Sequence, residues 1–356
     1  MFDTLGFETL TAPQVSLFFA LILGAVFGLF AEQTRFCFRR ALIGQDRKQA
    51  AGLWMIALAV AIAGTQAAVS YELIDFSDHR FLASDAPIAA AAVGGLLFGV
   101  GMVLSRGCAS RLTVLSGTGN MRALFTVLLF GLVANATLKG PLADLRIALN
   151  SYTLDLGDAA SIGTVAPIAP WISITALLWF AVSSGNRATH LIMAAIIGAL
   201  PAVAWIGTGY VLYDDFDPIA FESLAFTLPA ADTLFWIVAS TSVSAKFTVG
   251  LLAGVLGGAF LSGLVSRRFE WVGFTGPAQM GRYSLAAVLM GFGGVVAGGC
   301  TIGAGLAGIP TLSVTAILAL VFVALGAKIT QHALDVIPSL RGYDALGTKQ
   351  PIQPAE

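Results

Sequence analysis

Charge is what this chain has least of. Lys, Arg, Asp and Glu make up only 11% of its 356 residues, while hydrophobic residues make up 57%. An ordinary soluble domain carries about 25% charged residues. So little charge cannot cover a water-facing surface, which excludes a soluble globular protein and makes membrane lipid the first expected partner. Histidine is also scarce. His79, His190 and His332 have no metal-ligand spacing and read as structural, so neither a metal nor another cofactor is expected. The three cysteines, Cys37, Cys108 and Cys300, are an odd number spread over the chain. They exclude a disulfide framework and read as free thiols. No P-loop, dinucleotide fingerprint, HExxH, CxxC or GxSxG motif occurs. Nothing points to ATP hydrolysis or to an enzyme. The net charge of −1 implies no nucleic-acid partner. Residues 1–14 carry Asp3 and Glu8 without a basic stretch, which does not read as a secretory signal.

Long apolar runs fill the space that charge leaves. A spanning helix needs about 20 mostly apolar residues. Nine runs reach or approach that length: 15–31, 51–71, 87–104, 121–139, 170–184, 188–213, 246–265, 283–297 and 311–328. The segment 234–244 reads as too short to span. The fold class is therefore an all-α polytopic membrane protein, one integral membrane domain over 1–356. About nine transmembrane helices are expected. Basic clusters at 35–48, 106–122, 187 and 267–282 fall on one side of the nine-span count. Acidic stretches at 72–85, 144–158 and 214–232 fall on the other; the last holds Asp214, Asp215, Asp217, Glu222 and Asp232. The excess of Lys and Arg on cytoplasmic loops puts the N-terminus outside and the C-terminus inside.

The chain also resembles itself. Residues 99–108 read GVGMVLSRGC and residues 291–300 read GFGGVVAGGC. A weaker likeness joins GAVFGLF at 24–30 to GVLGGAF at 254–260. These matches suggest two repeat-like halves, 15–140 and 246–328, with a site at their interface. In the nine-span count the two Gly-Cys motifs open to opposite faces, as an inverted pair, whereas the weaker pair is parallel.

The Gly-Cys motifs carry the chemistry. Gly107 and Gly299 let the backbone turn sharply beside each cysteine. A short helix starting at the cysteine would aim free N–H groups and its positive dipole end at one point, which suits an anion. Ser110 and Thr301 are placed to cap such a helix or to donate a hydrogen bond. Cys37 lies in TRFCFRR, where Arg35, Arg39 and Arg40 would attract an anion. Arg106 and Arg111 flank Cys108 and are even between a membrane rim and the pathway.

With these motifs in hand, the sequence resembles the YeeE/YedE family of sulphur-transport membrane proteins. The likeness rests on GAVFGLFAEQTRFCF at 24–38, GGLLFGVGMVLSRGCASRLTVLSGTGN at 94–120 and GFGGVVAGGCTIGAGLAGIPTLS at 291–313. It implies about nine spanning helices plus short re-entrant helices in a bacterial inner membrane. It also implies uptake of a small sulphur-containing anion, thiosulfate first, past Cys37, Cys108 and Cys300. Arg111 departs from the glycine that many members carry there, and would strengthen anion binding or change the substrate. Thiosulfate is a dianion with a soft terminal sulphur, so the thiols must be protonated to donate S–H to it. Three alternatives stand beside this reading. They are transport of another sulphur or selenium species, a persulfide relay resembling a sulphurtransferase, and a membrane subunit serving a soluble sulphur-handling partner.

Overall fold

The computed structural model describes residues 11–214 and 217–336; Asp3, Glu8 and Asp215 lie outside the described residues. It is an all-α polytopic membrane protein. Helix α1 (Ala12–Gln33) starts where the Thr11 N–H donates to Gln14 Oε1 at 3.2 Å, with Pro13 in its first turn. A short α2 (Phe38–Ile43) and a long α3 (Arg47–Ser70) follow. Then come α4 (Ile88–Leu104), a short α5 (Ala109–Gly117) and α6 (Met121–Lys139). Asn120 caps α6 by accepting the Ala123 N–H at 3.1 Å. Two short helices, α7 (Ala143–Asn150) and α8 (Ile162–Val165), lead to α9 (Ala169–Val182) and α10 (Ala188–Ile206). The chain closes with α11 (Thr227–Ala239), α12 (Phe247–Val265), α13 (Pro277–Val296), a π-helical segment Thr301–Gly308 and α14 (Val314–Val336). The two-residue strands β1 (Asp85–Ala86) and β2 (Leu154–Asp155) pair antiparallel and tie two loops together.

Eight helical stretches among the described residues are long and apolar enough to cross a membrane. They account for eight of the nine expected runs. The ninth, 170–184, forms α9, whose 14 residues extend about 21 Å at 1.5 Å per residue, short of a bilayer core. The residues read as too short at 234–244 belong partly to α11, a second short apolar helix of 13 residues.

Glycine explains how the long helices approach. Gly24 and Gly28 of α1 press on the backbone of Leu251, Val255 and Ala259. In return Gly250, Gly254 and Gly258 of α12 press on Leu17, Leu21 and Ala25. Both series rise together, so α1 and α12 run parallel. Each glycine series is spaced by four, which brings the backbones together on one face and maximises dispersion contact where no hydrophobic effect acts. The pair α4 and α13 behaves differently. Gly94 meets Gly293 and Ala297, whereas Gly101 meets Ala286 and Met290, so these helices run antiparallel. The helices that deliver Cys108 and Cys300 therefore approach from opposite directions, while α1, which delivers Cys37, lies alongside a helix of its own direction.

Candidate functional site

Each cysteine occupies the same local position. A long helix ends, the chain turns through one left-handed residue, and two residues later a cysteine in extended conformation opens a short helix. The left-handed residues are Arg35 (φ 52°), Arg106 (φ 61°) and Gly298 (φ 78°). Cys37 then opens α2, Cys108 opens α5 and Cys300 opens the π-helical segment. After α1 the Arg35 turn is closed by the Phe36 N–H donating to Ala31 O at 3.0 Å, the bond of a left-handed helix cap. The same turn recurs after α12, where Arg267 has φ 52° and the Arg268 N–H donates to Gly263 O at 2.8 Å. There the residue two positions on is Phe269, and no cysteine follows.

Glycine occupies only one of these turns. Gly298 takes the left-handed conformation without cost; Arg35 and Arg106 pay about 1–2 kcal/mol each for the same backbone. Those two arginines thus serve the turns with their backbones, a role that the sequence reading did not assign. Gly107 and Gly299 follow or adjoin the turns without positive φ. At Gly299 a Cβ would lie 2.9 Å from Ala304 N, so the backbone itself fills that space.

The three thiols are brought together. Cys37 is 7% exposed; Cys108 and Cys300 are fully buried. The Cys37 and Cys108 side chains are neighbours, close enough to act on each other electrostatically. Cys108 Sγ lies 3.2 Å from Ser110 Oγ, and the Thr301 side chain stands on its other flank. Thr301 is fully buried, and its Oγ1 has no partner at normal hydrogen-bond length. Cys300 follows directly. Its sulphur, not the Thr301 hydroxyl, caps the π-helical segment, accepting the Gly303 N–H at 3.4 Å. Of the two roles expected for Thr301, to cap or to donate a hydrogen bond, the capping one thus falls to Cys300. The physical reason is the extended backbone at Cys300, which puts its own side chain over the freed N–H groups.

The arginines divide into two groups. Arg40 is a clamp: its Nε lies 2.9 Å from both carboxylate oxygens of Asp46, and its Nη1 donates to the Thr34 and Arg35 carbonyls at 3.1 and 3.3 Å. Arg40 thereby closes the end of α1 and holds Asp46 below the usual carboxylate range. Arg111 projects from α5 toward α1, with Nη1 3.4 Å from Ala31 O, and acts electrostatically on Cys37. Glu32, buried in α1, accepts from Ser262 Oγ at 2.8 Å and from Arg268 Nη1 at 3.1 Å.

A cavity of about 450 Å³ lies beside the Cys300 turn, on the side of the acidic loops. Gly298, Gly299 and Gly303 line it, with Cys300 buried behind them. Thr227 also lines it, and the Thr227 hydroxyl is buried without a partner. Farther out stand His79, Arg80 and Glu222. His79 is packed by Phe81 at 4.9 Å, Trp205 at 5.1 Å and Phe221 at 5.7 Å between centroids. Burial, then the Arg80 charge, push its pKa down to about 4, so it is neutral at pH 7. The sequence reading missed Arg80, Glu222 and Thr227. Arg80 had one signal, being the single arginine in the acidic stretch 72–85.

Residues 33–329 match the sulphur-transport family. The chain belongs to that family. The matched span contains all three cysteines and both sides of the cavity. Two relatives are similar over most of their length. The thiosulfate transporter TsuA of Escherichia coli is 28% identical over 341 residues, covering 86% of this chain and 91% of that protein. The thiosulfate transporter TsuA of Spirochaeta thermophila is 26% identical over 327 residues, covering 86% of this chain and 95% of that protein.

Proposed function

We propose that this sulphur-transport family member carries a small sulphur-containing anion, thiosulfate first, across the bacterial inner membrane by way of Cys300, Cys108 and Cys37. One observation carries the reading: three thiols, each opening a short helix, adjoin one another in a buried row behind a cavity. Two relatives named as thiosulfate transporters support the choice of anion.

The chemistry follows from the donors. An anion in the cavity meets the unpartnered Thr227 hydroxyl and then the Cys300 thiol. Thr301 bridges the space to Cys108, where Ser110 adds a hydroxyl. Cys37 comes next, within the field of Arg111. Thiols and hydroxyls are neutral donors. They replace part of the lost hydration without holding the anion as firmly as a row of cations would, and a conduction site must release what it binds. A thiolate would repel a dianion, so the cysteines act as protonated S–H donors. Arg111 supplies net positive charge at the far end of the row, where a deep dianion needs it most. Related halves in opposite orientation would place equivalent donors on both sides of the midplane, and the antiparallel α4 and α13 suit that arrangement.

The test is thiosulfate uptake by cells that have no other sulphur source, repeated with the purified protein in liposomes. Cys37→Ser, Cys108→Ser and Cys300→Ser should each lower flux. Full flux in both Cys108→Ser and Cys300→Ser would overturn the proposal.

A further inference from the structure

The mouth of the cavity carries charges that the row of thiols does not use. Arg80 and Glu222 both line it. Arg80 stands among Glu72, Asp75, Asp78 and Asp85 in sequence, yet among the described residues no carboxylate lies within ion-pair distance of it. Its side chain is exposed, and its guanidinium sits over the Phe81 ring, 5.0 Å from the centroid. The backbone beneath is anchored. Phe81 O accepts from Ser313 Oγ at 2.5 Å, and the Phe81 N–H donates to His79 Nδ1 at 3.3 Å. A guanidinium against an aromatic face keeps its in-plane N–H donors for an oxyanion. Anchoring limits the entropy lost when it binds.

Glu222 faces the same space and is equally fixed. Its carbonyl accepts from Thr208 Oγ1 at 2.7 Å, and its N–H donates to Thr208 Oγ1 at 3.2 Å. The ionisable groups around it come from three directions. Asp78, His79 and Arg80 share the cavity from the outer loop; Asp232 acts from α11 and Lys246 from the start of α12. Burial, then Asp232, push the Glu222 carboxyl up to about 7, against the pull of Arg80 and Lys246.

We propose that Arg80 is an outer capture site for the incoming oxyanion and that Glu222 is its titratable opponent, so that capture takes up a proton. This rests on the transport reading and deepens it. An ionised Glu222 offsets the Arg80 field and repels a dianion; a protonated Glu222 withdraws that charge and leaves Asp78 as the remaining carboxylate lining the cavity with Arg80. Capture therefore strengthens as pH falls through about 7. By linkage, a bound dianion raises the proton affinity of Glu222 by the same factor that protonation raises affinity for the dianion. A coupling of one pKa unit corresponds to about a tenfold change in affinity.

The experiment is thiosulfate binding to the full-length purified protein in nanodiscs, by calorimetry between about pH 5.5 and 8. Thiosulfate remains a dianion across that range, so any pH dependence belongs to the protein. Affinity should fall about tenfold from the acid to the basic limit, and heats measured in buffers of different ionisation enthalpy should report proton uptake near pH 7. Glu222→Gln should bind at pH 8 with the acid-limit affinity and without proton uptake. Arg80→Gln should bind about tenfold more weakly at acid pH, and Arg80→Lys should recover part of the loss. Wild-type binding that is independent of pH, or an unchanged pH dependence in Glu222→Gln, would overturn this inference while leaving the thiol path standing. Absence of thiosulfate binding to the wild type at every pH would overturn both.

Discussion

The Cys108 sulphur lies 3.2 Å from the Ser110 hydroxyl, with both groups buried at the start of α5. On the proposed path they would offer one anion two donors. Ser110→Ala removes one donor and leaves the thiol. A neutral hydrogen bond contributes about 1 kcal/mol, so liposome flux should fall roughly fivefold while the protein remains folded by size-exclusion and thermal melt. Wild-type flux in this variant would remove Ser110 from the pathway.

Thr301 separates function from stability. Its hydroxyl is buried without a normal partner, and such a group destabilises the fold by about 1–3 kcal/mol. Thr301→Val keeps the shape and removes the hydroxyl. Thermal stability should hold or rise, while thiosulfate flux drops several-fold. A variant that loses stability and keeps flux would show that the hydroxyl serves packing.

The α1–α12 contact predicts a paired result on one helix. A Cβ on Gly258 would collide with the Ala25 backbone, whereas a Cβ on Gly257 meets nothing within 4 Å. Gly258→Ala should cost about 1–3 kcal/mol through overpacking and lower the melting temperature in detergent. Gly257→Ala should be neutral or gain up to about 1 kcal/mol from helix propensity. Equal effects at the two positions would contradict the packing described above.

The Arg40–Asp46 clamp predicts an acid-side loss. Asp46 has its pKa lowered from 3.8, chiefly by its hydrogen bond to Arg40. A depressed carboxylate adds stability that is complete above its unfolded pKa and is lost as pH falls through the lower folded value. The loss should therefore begin below about pH 4 and be absent in Asp46→Asn. Asp46 is 39% exposed, so solvent screening limits the contribution to about 1 kcal/mol or less. Melting temperatures of both proteins against pH would measure it.

Part of this architecture was legible because helix breaks are encoded locally. The Gly-Cys motifs at 99–108 and 291–300 interrupt apolar runs with glycine and a polar residue, and short helices do begin at Cys108 and Cys300. TRFCFRR marked the third break. The turn after α12 escaped notice because Ser266, Arg267 and Arg268 resemble an ordinary basic rim. Its left-handed residue is an arginine, and Phe269 stands where the turns after α1, α4 and α13 lead to cysteine. Helix α11 escaped because Pro229 and Asp232 interrupt the apolar pattern over 227–239.

The sequence by itself determined the solvent of the fold and the places where its helices must break. Charge content and run length are additive along the chain, and a glycine or a left-handed turn acts within a few residues. Tertiary structure alone decided that Cys37, Cys108, Thr301 and Cys300 share one buried row, that Arg40 is bound to Asp46 while Arg111 reaches toward Cys37, and that Arg80 and Glu222 meet at one cavity from loops far apart in the chain. Those relations depend on which helix backbones can touch. Facing glycines on α1 and α12, and on α4 and α13, set that by a steric fit that no single run of residues contains.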